Sequence, residues 1–314
     1  MKIALYGLWH VHAPQYYKTA AEYGEVIGVY EENPEFRDPF CEKYGVPAFA
    51  SAEELLNSDA DSVIVCTSTD IHADVMVSLA NAGKHIFTEK VLTLTSEDGL
   101  RVAEAVKNNG VRFVISYPWK FRAGIRTVKA LADSGELGAL NYFRFRNCHN
   151  GSTAGWLPSH FYDAKQCGGG AMIDLGAHGM YLADWFLGMP DTYSSAFTLA
   201  CPTEKNSDRV EDNAVTVMGY KNGAIAVNET GFVSYGSPET LEVGGTDGFV
   251  TYQRNGTVIK RTRTTEKQPV EVPLLPEGDS PLVSFLKGLV PEGCGMEDAL
   301  RLTQMMEGAY TGRN

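Results

Sequence analysis

The first 115 residues constrain this chain most, because short apolar runs alternate there with helical stretches. The runs Ile3–Tyr6, Val26–Tyr30, Ser62–Cys66, His85–Thr88 and Val111–Ile115 read as strands. They are continuous in apolar character, as expected of strands covered on both faces. Helical stretches such as Ile71–Ala82 and Ser96–Asn109 lie between them, the second with Ser96 as its expected N-cap. Short strands that alternate with helices build a parallel sheet with helices on both sides, a doubly wound architecture of the nucleotide-binding kind.

After Arg122 the pattern changes. A helix is predicted over Thr127–Ser134, ending at Gly135, and a strand over Leu140–Asn147. Further strands are predicted at Tyr193–Ala200, Ala214–Tyr220, Ala224–Glu229, Glu239–Val243, Phe249–Arg254 and Thr257–Arg263, with a last helix at Met296–Tyr310. Lys221-Asn222-Gly223 and Asn255-Gly256 are turn signals that join neighbours as antiparallel hairpins. The expected fold is α/β, a doubly wound parallel sheet followed by an α+β domain with a mostly antiparallel open sheet. The expected boundary lies between residues 1–120 and 121–314.

Composition removes several function classes. A net charge of −12 argues against nucleic acid or an anionic membrane as the main partner, since both select basic surfaces. No apolar run reaches the length of a membrane span. Met1–Gly7 leads straight into a buried strand, with no room for a signal peptide, and the six scattered cysteines contain no C-x-x-C. A cytoplasmic protein with reduced thiols is therefore expected.

Gly7-Leu8-Trp9-His10-Val11-His12 occupies the place of a dinucleotide-binding turn, between the first strand and the first helix. The G-x-G-x-x-G pattern uses its second and third glycines for pyrophosphate approach and helix packing, and here those positions hold Trp9 and His12. The amides of the following helix remain a candidate phosphate site. Glu31 ends the second strand, where a carboxylate can bind both ribose hydroxyls, and no arginine stands there to receive a 2′-phosphate. NAD is thus expected over NADP. The His10-x-His12 pair suggests a metal, but such a site needs further ligands. His72 and His85 lack ligand-like spacing, so no metal is expected.

Gly168-Gly169-Gly170 leads into a helical stretch in which Asp174 and His178 stand four apart, on one face. A carboxylate beside an imidazole can orient the ring and stabilise its charged form, which suits proton transfer. Structural roles, a capping Asp and a packed His, are the alternative from this segment alone.

Glu89-Lys90 after the fourth strand, together with GGG-x-x-x-D-x-G-x-H, resembles the Gfo/Idh/MocA (glucose–fructose oxidoreductase/inositol dehydrogenase/rhizopine catabolism) family. Further stretches agree in the family's order: Val29–Glu35, Cys66–His72, Leu79–Lys90 and Ser134–Gly138. The resemblance implies a Rossmann NAD-binding domain and a substrate-binding and oligomerisation domain, whose open sheet forms a homodimer or homotetramer. It implies NAD(P)-dependent hydride transfer at a carbon of a sugar, polyol or related polyhydroxylated compound. Carried over by motif, Lys90 polarises the reacting oxygen across a cleft from Asp174 and His178, with His178 as base and Asp174 holding its ring. The cofactor contacts it implies, with those of the turn, are Gly7, Trp9, His10, Val11, Glu31, Thr67, Ser68, His72, Glu89 and Lys90. Val91 departs from the family's proline after Glu-Lys, which removes a fixed backbone angle beside Lys90.

For the substrate, aromatic rings offer a platform to sugar C–H faces, and Asn, His and Lys give directional bonds to hydroxyls. Lys120, His149 and Trp156 are the expected contacts, with core packing as the alternative for Trp156 and Phe161 and a solvated strand face for Arg144 and Arg146. Two other functions fit this pattern: NAD-assisted glycoside cleavage, and a non-catalytic protein that senses cofactor or sugar.

Overall fold

The structure, a computed structural model, describes residues 1–312 and forms two compact units. The first holds five parallel strands: β1 (Lys2–Tyr6), β2 (Glu25–Tyr30), β3 (Ser62–Val65), β4 (His85–Thr88) and β5 (Phe113–Ile115). Their order is β2-β1-β3-β4-β5, the doubly wound sheet expected from the apolar runs. All four residues of β3 are buried, which is why this strand reads as continuously apolar.

The intervening helices are α1 (Ala13–Tyr23), α2 (Pro34–Tyr44), α3 (Ala52–Asn57), α4 (His72–Asn81) and α5 (Ser96–Asn109). Asn33 caps α2 by accepting from the Glu35 amide at 2.9 Å. For α5 the cap is Thr95 and not Ser96. The Thr95 hydroxyl accepts from the Asp98 amide at 3.1 Å, and Ser96 is the first helical residue. Both residues are good caps, and the one with extended backbone takes the role.

The second unit contains α6 (Ala123–Asp133), β6 (Leu140–Cys148), α7 (Ala164–Cys167) and α8 (Ala177–Leu187). Then follow β7 (Thr192–Thr198), β8 (Asn213–Gly219), β9 (Ile225–Gly231), β10 (Glu239–Gly245), β11 (Gly248–Gln253), β12 (Val258–Thr262) and β13 (Val270–Glu271). The eight strands run β13-β12-β11-β10-β6-β9-β8-β7. Every neighbouring pair is antiparallel except β6 and β9, which lie parallel in the middle. Both glycine turns make the expected hairpins, β8–β9 and β11–β12.

Strand β6 shows how the sheet divides its faces. Phe143, Phe145 and Asn147 are buried, and Phe143 meets Phe186 of α8 with ring centroids 5.7 Å apart. Tyr142, Arg144 and Arg146 alternate to the other face. There Arg144 grips Glu229 of β9 with two bonds, at 2.7 and 3.2 Å.

The chain then returns. Residues Asp279–Thr303 belong to the first unit, although a single boundary at 120/121 assigns them to the second domain. They carry α9 (Pro281–Leu286) and the first part of α10 (Met296–Thr311). Phe285 lies 5.9 Å from the Phe87 ring, and the Cys294 carbonyl accepts from the Ile115 amide of β5 at 2.9 Å. Helical periodicity says that a face is buried, but not against which sheet. Among the described residues no helix is long and apolar enough to cross a membrane, and the six cysteines are thiols.

Candidate cofactor and active site

In the first unit the turn after β1 is set by Gly7. Its φ is +84°, and a Cβ there would stand 2.6 Å from Thr67 Cγ2 and 2.9 Å from the Thr67 nitrogen. Only glycine fits. The next turn residue is tied to β2, because the Leu8 amide donates to Glu31 Oε2 at 2.7 Å. The Asn33 amide donates to Oε1 of the same carboxylate at 2.8 Å. A carboxylate has about four acceptor positions, so Glu31 keeps capacity for a ligand.

A cleft in this unit is lined by Gly7, Trp9, Glu31, Glu32, Thr67 and Ser68, which brings five of the sequence candidates together. The Thr67 hydroxyl is buried and has no hydrogen-bond partner among the described residues. Val11, by contrast, is half exposed and does not line the cleft. The helix amides are also committed elsewhere. Ala13 N donates to the His10 carbonyl, Gln15 N and Tyr16 N donate to the His12 carbonyl, and Pro14 has no N–H. The phosphate site expected at the start of α1 is therefore spent on closing a short turn.

Glu89 and Lys90, both buried, follow β4. Glu89 Oε1 accepts from His12 Nδ1 at 2.8 Å and from the Tyr16 hydroxyl, which also bonds Ser116 Oγ at 2.9 Å. His10 Nδ1 lies 3.8 Å from the same oxygen, and the Lys90 amide donates to Oε2 at 3.2 Å. Burial pushes the Glu89 carboxyl up, but the His10 and His12 rings and the Lys90 charge outweigh it and hold the group well below the usual range. Burial and the Glu89 charge push the Tyr16 phenol well up. The Lys90–Val91 peptide is cis although residue 91 is not proline.

His72 is placed differently from a ligand-facing residue. Its Nδ1 faces the carbonyls of Val91 and Leu92 at 3.0 and 3.1 Å, and its Nε2 faces the Thr67 carbonyl at 3.2 Å. The ring clamps the two loops that carry Thr67 and Lys90, and burial lowers its pKa despite those carbonyls. His85 is in β4, where its Nδ1 accepts from the Arg112 amide at 3.0 Å.

In the second unit each of the three glycines has its own cause. Gly168 has φ +80° and ends α7. A Cβ on Gly169 would lie 1.9 Å from the Tyr310 hydroxyl, and one on Gly170 would lie 2.0 Å from the Glu211 carbonyl oxygen. The Glu211 carboxylate accepts from Gly170 N, Met172 N and the Tyr310 hydroxyl at 3.0, 3.1 and 2.6 Å. Asp174 is thereby delivered in a π-helical turn, Met172–Gly176, and not in the regular α-helix that a spacing of four suggests. Asn228 Nδ2 donates to the Gly176 carbonyl at 2.7 Å, at the junction with α8.

His178 is buried on α8, and its Nδ1 pairs with the Tyr181 hydroxyl at 2.9 Å. Tyr181 Oη also accepts from the Trp119 amide at 3.3 Å, and its ring stacks on Tyr117 at 4.1 Å. The partner at His178 Nδ1 is thus a phenol, which the sequence pattern of Asp174 and His178 does not include. Tyr181 stands three residues after His178, so helical spacing alone could have found it. Lys120 is also buried, with its ammonium 5.3 to 5.8 Å from the ring centres of Tyr117, Tyr181 and Trp185.

Asp174 acts at a distance on His149, whose pKa burial lowers and the Asp174 charge raises in part. His149 stacks on Phe232 at 4.9 Å and meets the Trp156 ring at 4.6 Å. Trp156 is 54% exposed, whereas Phe161 packs with Leu157, Tyr162, Val210 and Phe232 in a core cluster. Asp174, His149 and Trp156 therefore form one neighbourhood, and Phe161 is structural.

Comparison with known proteins agrees with this architecture. Residues 2–117 match an oxidoreductase family with an NAD-binding Rossmann fold, GFO_IDH_MocA, and residues 125–251 match the GFO/IDH/MocA C-terminal domain. The chain belongs to the Gfo/Idh/MocA family of oxidoreductases. It is 31% identical over 201 residues to scyllo-inositol 2-dehydrogenase (NAD(+)) of Bacillus subtilis, covering 63% of this chain and 56% of that one. It is 27% identical over 225 residues to myo-inositol 2-dehydrogenase of Thermotoga maritima, covering 69% and 65%. The match thus spans less than two thirds of either relative. A levoglucosan dehydrogenase solved with NADH and levoglucosan superposes with TM-score 0.84 at 16% identity, over 99% of this chain and 96% of that one, a likeness of fold.

Proposed function

We propose that the protein is an NAD-dependent dehydrogenase that acts at a carbon bearing a hydroxyl on a sugar, inositol or related polyol. The observation that carries the cofactor is the first-unit cleft, where Gly7, Trp9, Thr67 and Ser68 line one space with the Glu31 and Glu32 carboxylates. Glu31 and Glu32 line the cleft without a cationic neighbour among its described residues, which favours a ribose diol over a 2′-phosphate and so NAD over NADP. The inositol dehydrogenases among the relatives support the substrate class.

When bound, the nicotinamide supplies a hydride acceptor or donor. The protein supplies the rest. Lys90, held through its own amide by Glu89, polarises the substrate oxygen and stabilises developing alkoxide charge. His178 takes the hydroxyl proton. For Nε2 to act as base, Nδ1 must carry the ring hydrogen and donate to Tyr181 Oη, with the Asp174 charge favouring the imidazolium. Lys120, His149 and Trp156 receive the polyol, and the open face of the eight-stranded sheet joins copies into a homodimer or homotetramer.

The test is calorimetric titration of nucleotide-free protein with NAD, NADH and NADP, followed by a screen of inositols and aldoses for NADH formation. Tight NAD(H) binding, weak NADP binding and turnover that Lys90→Ala lowers by about 10²–10⁴-fold are the expected results. No binding of any of the three nucleotides removes the dehydrogenase reading. Binding without turnover of any substrate makes the protein a sensor.

A further inference from the structure

A cluster of three metal-ligating side chains lies in the first unit, where the His10-x-His12 pair meets Glu89, 77 residues beyond His12 in the chain. His10, His12 and Glu89 each offer one donor atom, and the three atoms all lie within 4.8 Å of one another. From His12 Nδ1 to Glu89 Oε1 is 2.8 Å, and from His10 Nδ1 to the same oxygen is 3.8 Å. Ligands about 2.1 Å from a tetrahedral Zn²⁺ stand about 3.4 Å from each other, so these two separations bracket what such an ion requires.

We propose that His10, His12 and Glu89 form a binding site for one borderline divalent transition metal of the Zn²⁺, Co²⁺ or Ni²⁺ type. Two imidazoles and one carboxylate are the donor set such ions select, whereas Mg²⁺ and Ca²⁺ select oxygen. The neighbouring Lys90 ammonium opposes any cation held by the carboxylate alone, so the two imidazoles must carry the affinity. Both are well placed for it. His10 and Glu89 are buried and fixed, while the His12 side chain is half exposed and gives the ion a path in. Three protein ligands leave at least one position for water.

Binding exchanges protons for the ion. The hydrogen that His12 Nδ1 shares with Glu89 leaves to solvent, and His10 Nδ1 gives up the His12 amide that now bonds it at 3.3 Å. The metal neither gains nor loses electrons. Its effect falls on Glu89, whose Oε1 then serves the ion in place of His12 and shares it with the Tyr16 hydroxyl. Occupancy therefore bears on the carboxylate that anchors the Lys90 amide, and the site is a point at which metal supply can act on the Lys90 loop.

The experiment is titration of chelator-treated full-length protein with Co²⁺ alone, read by its visible absorption and by calorimetry. The expected result is one equivalent bound, with the intense bands of a four- or five-coordinate ion, displaced stoichiometrically by Zn²⁺. His12→Ala and His10→Ala should each weaken binding at least about 100-fold, and His85→Gln should not change it. Absence of one-to-one binding, or binding that survives both alanine variants undiminished, overturns the proposal. Neither readout depends on NAD binding or turnover.

Discussion

The turn from Gly7 to His12 and the turn from Gly168 to Gly170 each deliver the chain into a helix beside charged, buried side chains, yet only the second is built of glycine throughout. In the second, two of the three glycines face a neighbour at 2.0 Å or less from a would-be Cβ. In the first, one glycine faces Thr67, and side chains fill the rest. Trp9 lines the cleft, and His12 reaches across to Glu89. Glycine is demanded by what stands opposite the backbone and not by membership of a motif. Where nothing stands opposite, a side chain can take the place and acquire a partner.

The sharpest break of that comparison is Gly170→Ala. The added methyl meets the Glu211 main-chain oxygen, which cannot swing aside as a side-chain tip could. A loss of about 3 kcal/mol is expected in urea unfolding, and an unshifted midpoint would contradict it. His12→Gly restores a motif glycine and should nonetheless destabilise, by about 2 kcal/mol in the same assay, because buried Glu89 loses a charge-assisted bond. An increase in stability would show that the motif, and not the partner, governs the turn. Tyr181→Phe keeps the ring stacked on Tyr117 but removes the oxygen at His178 Nδ1. Turnover should fall by about tenfold with a shifted pH profile, and an unchanged profile would separate Tyr181 from the proton path. Trp9→Gly should cost under about 1 kcal/mol in folding while altering NAD affinity in calorimetry.

The smallest effect is on pH. His72, His85 and His149 are all held below the ordinary histidine value of about 6.5, with burial the leading cause at each. Between the folded and unfolded values the unfolded chain binds more protons. The stability these rings contribute is therefore complete above about pH 6.5 and is lost as pH falls through their folded values. His72→Gln should flatten the dependence of melting temperature on pH between about 7 and 5, and an unaltered slope would place the loss elsewhere.

The parallel strands of the first unit and both hairpins of the second were legible in sequence because each depends on neighbouring residues. Apolar continuity marked β3, and Asn222-Gly223 and Asn255-Gly256 marked their turns. What escaped depends on distant pairing. The parallel contact of β6 with β9 joins strands separated along the chain by α7, α8, β7 and β8. Glu89 meets His12 across 77 residues and Tyr16 across 73. The H-x-H pair gave no sign of its third member for that reason. The π-turn at Asp174 is likewise set from outside, by Glu211, Tyr310 and Asn228, and periodicity within the segment cannot reveal it. Gly7, Trp9, Glu31, Thr67 and Ser68 were all legible and share one cleft, while Val11 fell outside and His72 proved to be a clamp between loops.

The return of residues 279–303 makes the nucleotide-binding unit discontinuous along the chain, with 117–278 inserted into it. A fragment cut at residue 120 keeps Gly7, Glu31 and Lys90 but lacks Phe285, which covers Phe87, and Cys294, which satisfies the edge amide of β5. Such a fragment exposes an aromatic face and an unpaired strand end, both templates for self-association. On the ribosome the first unit therefore waits, with its opening 116 residues already made, until 117–278 have been synthesised and 279–303 can close it.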